Sequence, residues 1–161
     1  MKLDKAALLR TLIGLLEQDI ARARDAAQRT REGAVHEEAR PENDKDTRAL
    51  EQTYLARGQA QRVVDLELEC KTVTFMTLRD FGPDDAIDLG ALVALESEDA
   101  MRWYFLAAAG GGRSLQQQGV TIDVLTPQAP LGKALIGRAR GDDLELRVGG
   151  RLRELAIVDV R

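Results

Sequence analysis

VLTPQAPLGKALIGRARGDDLELRVGGRLRELAIVDVR, residues 124–161, is the most orderly part of the chain. Pro127 and Pro130 punctuate a turn, and PLGKALIG (130–137) is an apolar stretch long enough for one or two helical turns before Gly137 ends it. An acidic Gly141-Asp142-Asp143 turn follows. Two alternating runs, DLELRV (143–148) and LRELAIVDV (152–160), then repeat with a period of two, as strands do. No nucleophile–base pair and no metal-ligand spacing occurs in it. This segment is a unit for folding, and the chemistry must lie elsewhere.

Working back from it, VTFMTL (73–78), ALVALE (91–96), MRWYFL (101–106) and VTIDVL (120–125) also read as strands. Turn signals separate them: FGPDD, DLG, AAAGGGR, QQQG, RGDD and VGG. Residues 72–161 are therefore expected to form a small domain on a largely antiparallel sheet, and the class is α+β.

The first half has a different period. Leu9, Ile13, Leu16, Ile20, Ala23 and Ala27 step by four and three, the seam of a coiled coil. Residues 33–46, GAVHEEARPENDKD, carry hardly an apolar anchor. Leu50, Tyr54, Val64 and Leu68 then resume heptad-compatible positions, with Arg57 and Gln61 on the steps between and Asp46 or Thr47 as N-cap. Two long helices joined by a short polar link pack antiparallel, so residues 1–71 are expected to form a helical coiled-coil hairpin.

Composition limits what such a chain can do. Hydrophobic residues make up 44% and charged residues 31%, enough for a modest core, while aromatics are only 4%, so packing is aliphatic. The net charge of -4 argues against a broad basic surface for nucleic acid, and direct DNA contact is not expected. The lone cysteine, Cys70, allows no intrachain disulfide and no thiolate zinc cluster. Asp4, Arg10, Glu17 and Asp19 interrupt the leucine-bearing N-terminus, so neither a signal peptide nor a membrane span is expected and the location is cytoplasmic.

Candidate chemistry is sparse. AAAGGGRS lacks the Gly-Lys-Ser/Thr ending of a phosphate loop and reads as a mobile connection. His36 has no His or Cys partner. The link between the helices is different: Glu37, Glu38, Glu42, Asp44 and Asp46 lie within ten residues at the end of the hairpin. A solvated turn is the plain reading. Oxygen chemistry is the other, because Mg²⁺ takes one or two protein carboxylates together with phosphate or water. Arg22, Arg24, Arg29 and Arg31 lie in the distal half of the first helix. Surface pairing with Asp19, Asp25 and Glu32 accounts for them ahead of any RNA contact.

TPQAPLGKALIGRARGDDLEL followed by ELAIVDV resembles the C-terminal signature of the Gre family of bacterial transcription elongation factors, in which a Ser-Pro-Leu/Ile-Gly-x-Ala-Leu-Ile/Leu-Gly-x-x-x-Gly-Asp segment ends an FKBP-like domain. Pro130, Leu131, Gly132, Ala134, Leu135, Gly137, Gly141 and Asp142 match it, with Ala129 where Ser is usual. The resemblance implies a hairpin that enters the secondary channel of RNA polymerase and carboxylates that help hold the second Mg²⁺ of the polymerase active centre. Glu42 and Asp44 would be the metal-holding residues, and Glu42, Asp44 and Asp46 the set acting on backtracked RNA. The factor would have no cofactor of its own and would meet the nascent RNA 3′ end only indirectly. Lys45 departs from the pattern, standing where the family has Glu.

Other readings compete. The nearest is a secondary-channel regulator with the same fold that does not stimulate cleavage. A prolyl isomerase of FKBP type is disfavoured because Trp103, Tyr104 and Phe105 are adjacent on one strand and not spread around a pocket. A zinc-bearing channel regulator is excluded by the single Cys70.

Overall fold

The computed structural model describes residues 3–38, 45–98, 100–148 and 150–161, with side chains at these positions except 34–38, 45–49, 148 and 151. Two long helices, α1 (Lys5–Glu38) and α2 (Lys45–Thr74), precede β1 (Leu92–Glu96), β2 (Met101–Leu106), β3 (Ser114–Gln117), β4 (Val120–Leu125), α3 (Pro130–Leu135), β5 (Asp143–Val148) and β6 (Arg151–Val160). The chain divides into two compact units, Met1–Ile13 with Lys71–Arg161, and Gly14–Cys70. The first turns of α1 thus pack with the sheet, where the sequence pattern placed them in the hairpin. Leu8 and Leu12 are the reason: both are fully buried, one step off the expected seam.

In the sheet unit the strand order is β3-β4-β2-β1-β6-β5. The pairing of β2 with β4 is parallel and the other pairings are antiparallel, so the sheet is mixed. One face packs on α3 through Val93, Leu95, Leu106, Leu135, Leu144, Ile157 and Val160, joined by Phe81 and Ile87 from the loop before β1. Because side chains alternate along a strand, Leu92, Ala94, Trp103, Phe105, Ile122 and Val124 bury on the opposite face. Trp103 and Phe105 share that face, and Tyr104 points to the other.

The start of α1 is fastened to this unit. Asp4 caps the helix by accepting the Ala7 N–H at 3.1 Å. The Gln117 side-chain amide pairs with the Asp4 backbone in both directions, accepting from its N–H at 2.6 Å and donating to its carbonyl at 3.1 Å. Lys5 donates to the Arg79 carbonyl and lies 5.0 Å from the Phe81 ring centroid, with the Arg79 guanidinium 3.8 Å from the same ring. Burial holds the Lys5 ammonium below the ordinary lysine range; Asp80 opposes that shift and Arg79 adds to it.

Three expectations need correcting. VTFMTL is not a strand: α2 continues through Thr74 because Val73 is fully buried as its last large side chain, while Phe75 is exposed. β3, SLQQ, escaped notice because only Leu115 in it is apolar and buried; a tight Gln118-Gly119 turn with positive φ at both residues joins it to β4. The AAAGGGRS segment is packed in its first half, while Gly111, Gly112 and Ser114 are exposed. Gly110 is buried, with the Leu12 side chain 3.1 Å from where its β-carbon would be, and Gly112 donates to the Val124 carbonyl.

The signature segment explains itself as architecture. A β-carbon on Gly132 would lie 2.0 Å from the Thr126 carbonyl oxygen and 2.9 Å from its carbon, so α3 rests on the preceding backbone at a distance only hydrogen permits. Gly137 donates to the Ile87 carbonyl, and Ile87 donates back to that of Arg138, tying the end of α3 to the loop before β1. Asp142 accepts the Ala139 N–H at 2.9 Å and closes the turn into β5. Gly132→Ala forces backbone apart and is expected to cost about 3 kcal/mol; denaturant unfolding of the full chain measures this, and a loss near zero would mean that Thr126 moves aside freely.

Candidate functional site

The hairpin unit is built on two facing rows. In α1 the expected seam holds from Leu16 onward: Leu16 is fully buried, and Ile20, Ala23 and Ala27 are partly buried, whereas Leu9 and Ile13 are partly buried beside the fully buried Leu8 and Leu12. In α2 it does not. Leu50, Tyr54, Val64 and Leu68 are exposed. The covered row is Gln52, Ala56, Gln59, Val63, Leu66 and Cys70, again stepping by four and three, with Leu66 fully buried at its centre of weight. Four of the larger apolar residues of α2, Leu50, Tyr54, Val64 and Leu68, thus lie away from that covered row.

Charges on the described surface pair locally. Arg24 of α1 reaches Glu67 of α2 at 2.6 Å, an exposed interhelical bridge. Arg22 pairs with Asp19 at 2.7 Å and Arg29 with Asp25, the surface pairing expected of them. Glu32 instead accepts from Gln28 at 2.8 Å.

At about 1.5 Å of rise per residue, α1 and α2 run roughly 50 and 45 Å. Glu37 and Glu38 end α1. Asp46 and Thr47 fall in the first turn of α2, which begins at Lys45, so neither is the cap preceding it. Glu42 and Asp44 lie outside the described residues, and the side chains of Glu37, Glu38 and Asp46 are not among those described. Among the described residues, no group of three or more His, Cys, Asp or Glu side chains could hold a metal ion, and no helix is long and apolar enough to cross a membrane.

No family model and no curated protein matches the chain. Among solved structures it is similar to the GreA factor homolog 1 (Gfh1) protein of Thermus thermophilus, with 18% identity over 92% of this chain and 94% of that one and a TM-score of 0.39. Gfh1 of Thermus aquaticus is 21% identical over 94% and 92%, with a TM-score of 0.40. The prokaryotic transcription elongation factor GreA/GreB from Nitrosomonas europaea is 24% identical over 61% of this chain and 78% of that one, at 0.37. These structural neighbours are Gre-type factors; at such scores the likeness carries no conclusion about activity.

One polar group in the hairpin is left over. The Gln59 side-chain oxygen is buried without a hydrogen-bond partner among the described residues. An unmet buried acceptor costs about 1–3 kcal/mol. Gln59→Leu is therefore expected to raise hairpin stability by at least about 1 kcal/mol in thermal unfolding followed by circular dichroism. A lowered melting temperature would show that the amide is satisfied in solution.

Proposed function

We propose that this protein is an RNA polymerase accessory factor that docks through its sheet unit and reaches the active centre of the enzyme through the secondary channel with its hairpin. The observation carrying the proposal is the pair of helices of roughly 45 Å or more whose link is acidic, set against a sheet unit whose signature residues all serve packing and turns. The sheet unit is read as FKBP-like and the setting as cytoplasmic, where polymerase is found.

Glu42 and Asp44, with Asp46 beside them, would deliver carboxylate oxygens to a Mg²⁺ ion bound mainly by the polymerase. That donor set suits Mg²⁺, which prefers a few carboxylates and fills its remaining positions with water and phosphate oxygen. When bound, such an ion lowers the pKa of coordinated water and steadies charge on the phosphodiester. The hairpin contributes reach and position: its carboxylates hold the ligand atoms, and polymerase supplies the reaction. A second reading, a channel regulator that binds without stimulating cleavage, is favoured by one residue. Lys45, adjacent in sequence to Asp44 and Asp46, brings a cation where the Gre pattern has Glu.

Transcript cleavage on backtracked complexes separates the readings. Wild-type protein is expected to stimulate cleavage, and Glu42→Ala/Asp44→Ala to reduce it by about 100-fold while a pull-down with core polymerase is unchanged. Binding without stimulation at any Mg²⁺ level would select the regulator. Failure of wild-type protein to bind polymerase would remove both readings.

A further inference from the structure

The face of the sheet opposite α3 changes character across its width. Over β4, β2 and β1 it is buried through Ile122, Phe105 and Ala94, whereas over β6 and β5 Asp143, Glu145, Arg147, Leu152 and Glu154 are exposed. The pairing register places the acids of this open part. Glu96 and Asp143 both stand opposite Ala156, on either side of it, and Glu145 stands opposite Glu154. With Glu98 these carboxylates line a hollow of about 860 Å³, where Arg138 is the one cation among the described residues. None of these five acids is in an ion pair with a described residue. β5 is also the last strand of the sheet. Ile157 exchanges backbone hydrogen bonds with Gly141 and Asp142. The ladder alternates from there, so Leu144 and Leu146 point their backbone groups at β6, and Asp143, Glu145 and Arg147 point theirs outward. The Arg138 guanidinium already uses one of these, donating to the Asp143 carbonyl at 3.3 Å.

We propose that the outer edge of β5 takes up an extended segment of a partner protein as an added antiparallel strand, with Lys or Arg at the two positions opposite Asp143 and Glu145. The open backbone groups of an edge strand are a template for such pairing, and they give affinity while alternate side chains give specificity. Charge names the occupant. Residues directly opposite in a ladder share a face, so both basic side chains stand over the hollow. Glu154 lies one strand further in, about 10 Å from the added strand, within reach of a long cationic side chain. Glu96 and Glu98 strengthen the negative field there. Glu145 and Glu154 form a like-charge pair in the closer, non-hydrogen-bonded position of the ladder. Such a pair destabilises the free protein, and a cation set between the two relieves it. Arg147, two residues on, asks for a neutral or acidic residue at the third position.

The binding is tested on the purified full chain with a labelled peptide of alternating threonine and arginine, followed by fluorescence anisotropy, and it does not rest on the polymerase reading. Saturable binding that weakens as salt rises is expected. Glu145→Lys/Glu154→Lys should weaken it by about 10-fold or more. That variant exchanges one like-charge pair for another, so the fold is kept. The charge-matched Glu17→Lys/Glu51→Lys, exposed on the helices, should change binding by less than about 2-fold. Glu154→Lys alone should raise the melting temperature while weakening binding, because an opposite-charge pair replaces a like-charge one; a merely structural role would move both the same way. In the antiparallel register the arginine N–H groups face β5, so N-methylation of the arginines should abolish binding and N-methylation of the threonines should not. Absence of saturable binding overturns the proposal, as do equal losses in the two double variants. Binding indifferent to which amides are methylated would show a basic segment held by charge alone and overturns the added strand. Self-association of the chain that excludes the peptide and is lost in Glu145→Lys/Glu154→Lys assigns the edge to a second copy and likewise overturns it.

Discussion

The contact between Gly132 and the carbonyl of Thr126 governs how the sheet unit closes. With no β-carbon in the way, α3 sits directly on the backbone leaving β4, and Leu135 is carried into the core beside Leu106 and Leu144. The same placement sets Gly137 and Arg138 against Ile87, so the loop before β1 is held by two backbone hydrogen bonds. Asp142 then turns the chain into β5. Each step relies on the one before it. Gly132, Gly137 and Asp142, shared with the Gre signature, are thus explained by close approach and turn geometry.

The two units differ in what their distinctive residues do: those of the sheet unit serve close approach and turns. Among the described residues the hairpin unit has local ion pairs, an interhelical bridge from Arg24 to Glu67, and a seam that uses Ala23, Ala27, Ala56 and Gln52 in place of large apolar groups.

Much of the sheet was legible because alternation is a local signal. MRWYFL, VTIDVL and DLELRV coincide with β2, β4 and β5. β3 was not, since an edge strand with one buried leucine leaves almost no periodic trace. The phase of α2 was misjudged for an instructive reason. Apolarity favoured Leu50, Tyr54, Val64 and Leu68, yet the covered row contains two glutamines and two residues no larger than cysteine, fixed by Leu66 and continued by Val73. Two rows with the same 4–3 step compete on one helix, and counting hydrophobic residues cannot say which one the partner helix covers. The candidate acids were visible as a cluster, but their spacing alone does not assign a ligand role, because carboxylates also serve solubility.

The pairing of Asp4 with Gln117 joins residues 113 apart in the chain, and Leu12 rests against Gly110 in the same region. During synthesis the first turns of α1 emerge long before the strands they pack with. At about 5–20 residues per second that interval is roughly 5–20 s. Throughout it Leu8 and Leu12, both buried in the folded unit, lack the Gly110 and Gln117 region against which the start of α1 packs. The start of α1 is therefore among the first parts of the sheet unit to be made, yet it can be fastened only once Gly110 and Gln117 have followed.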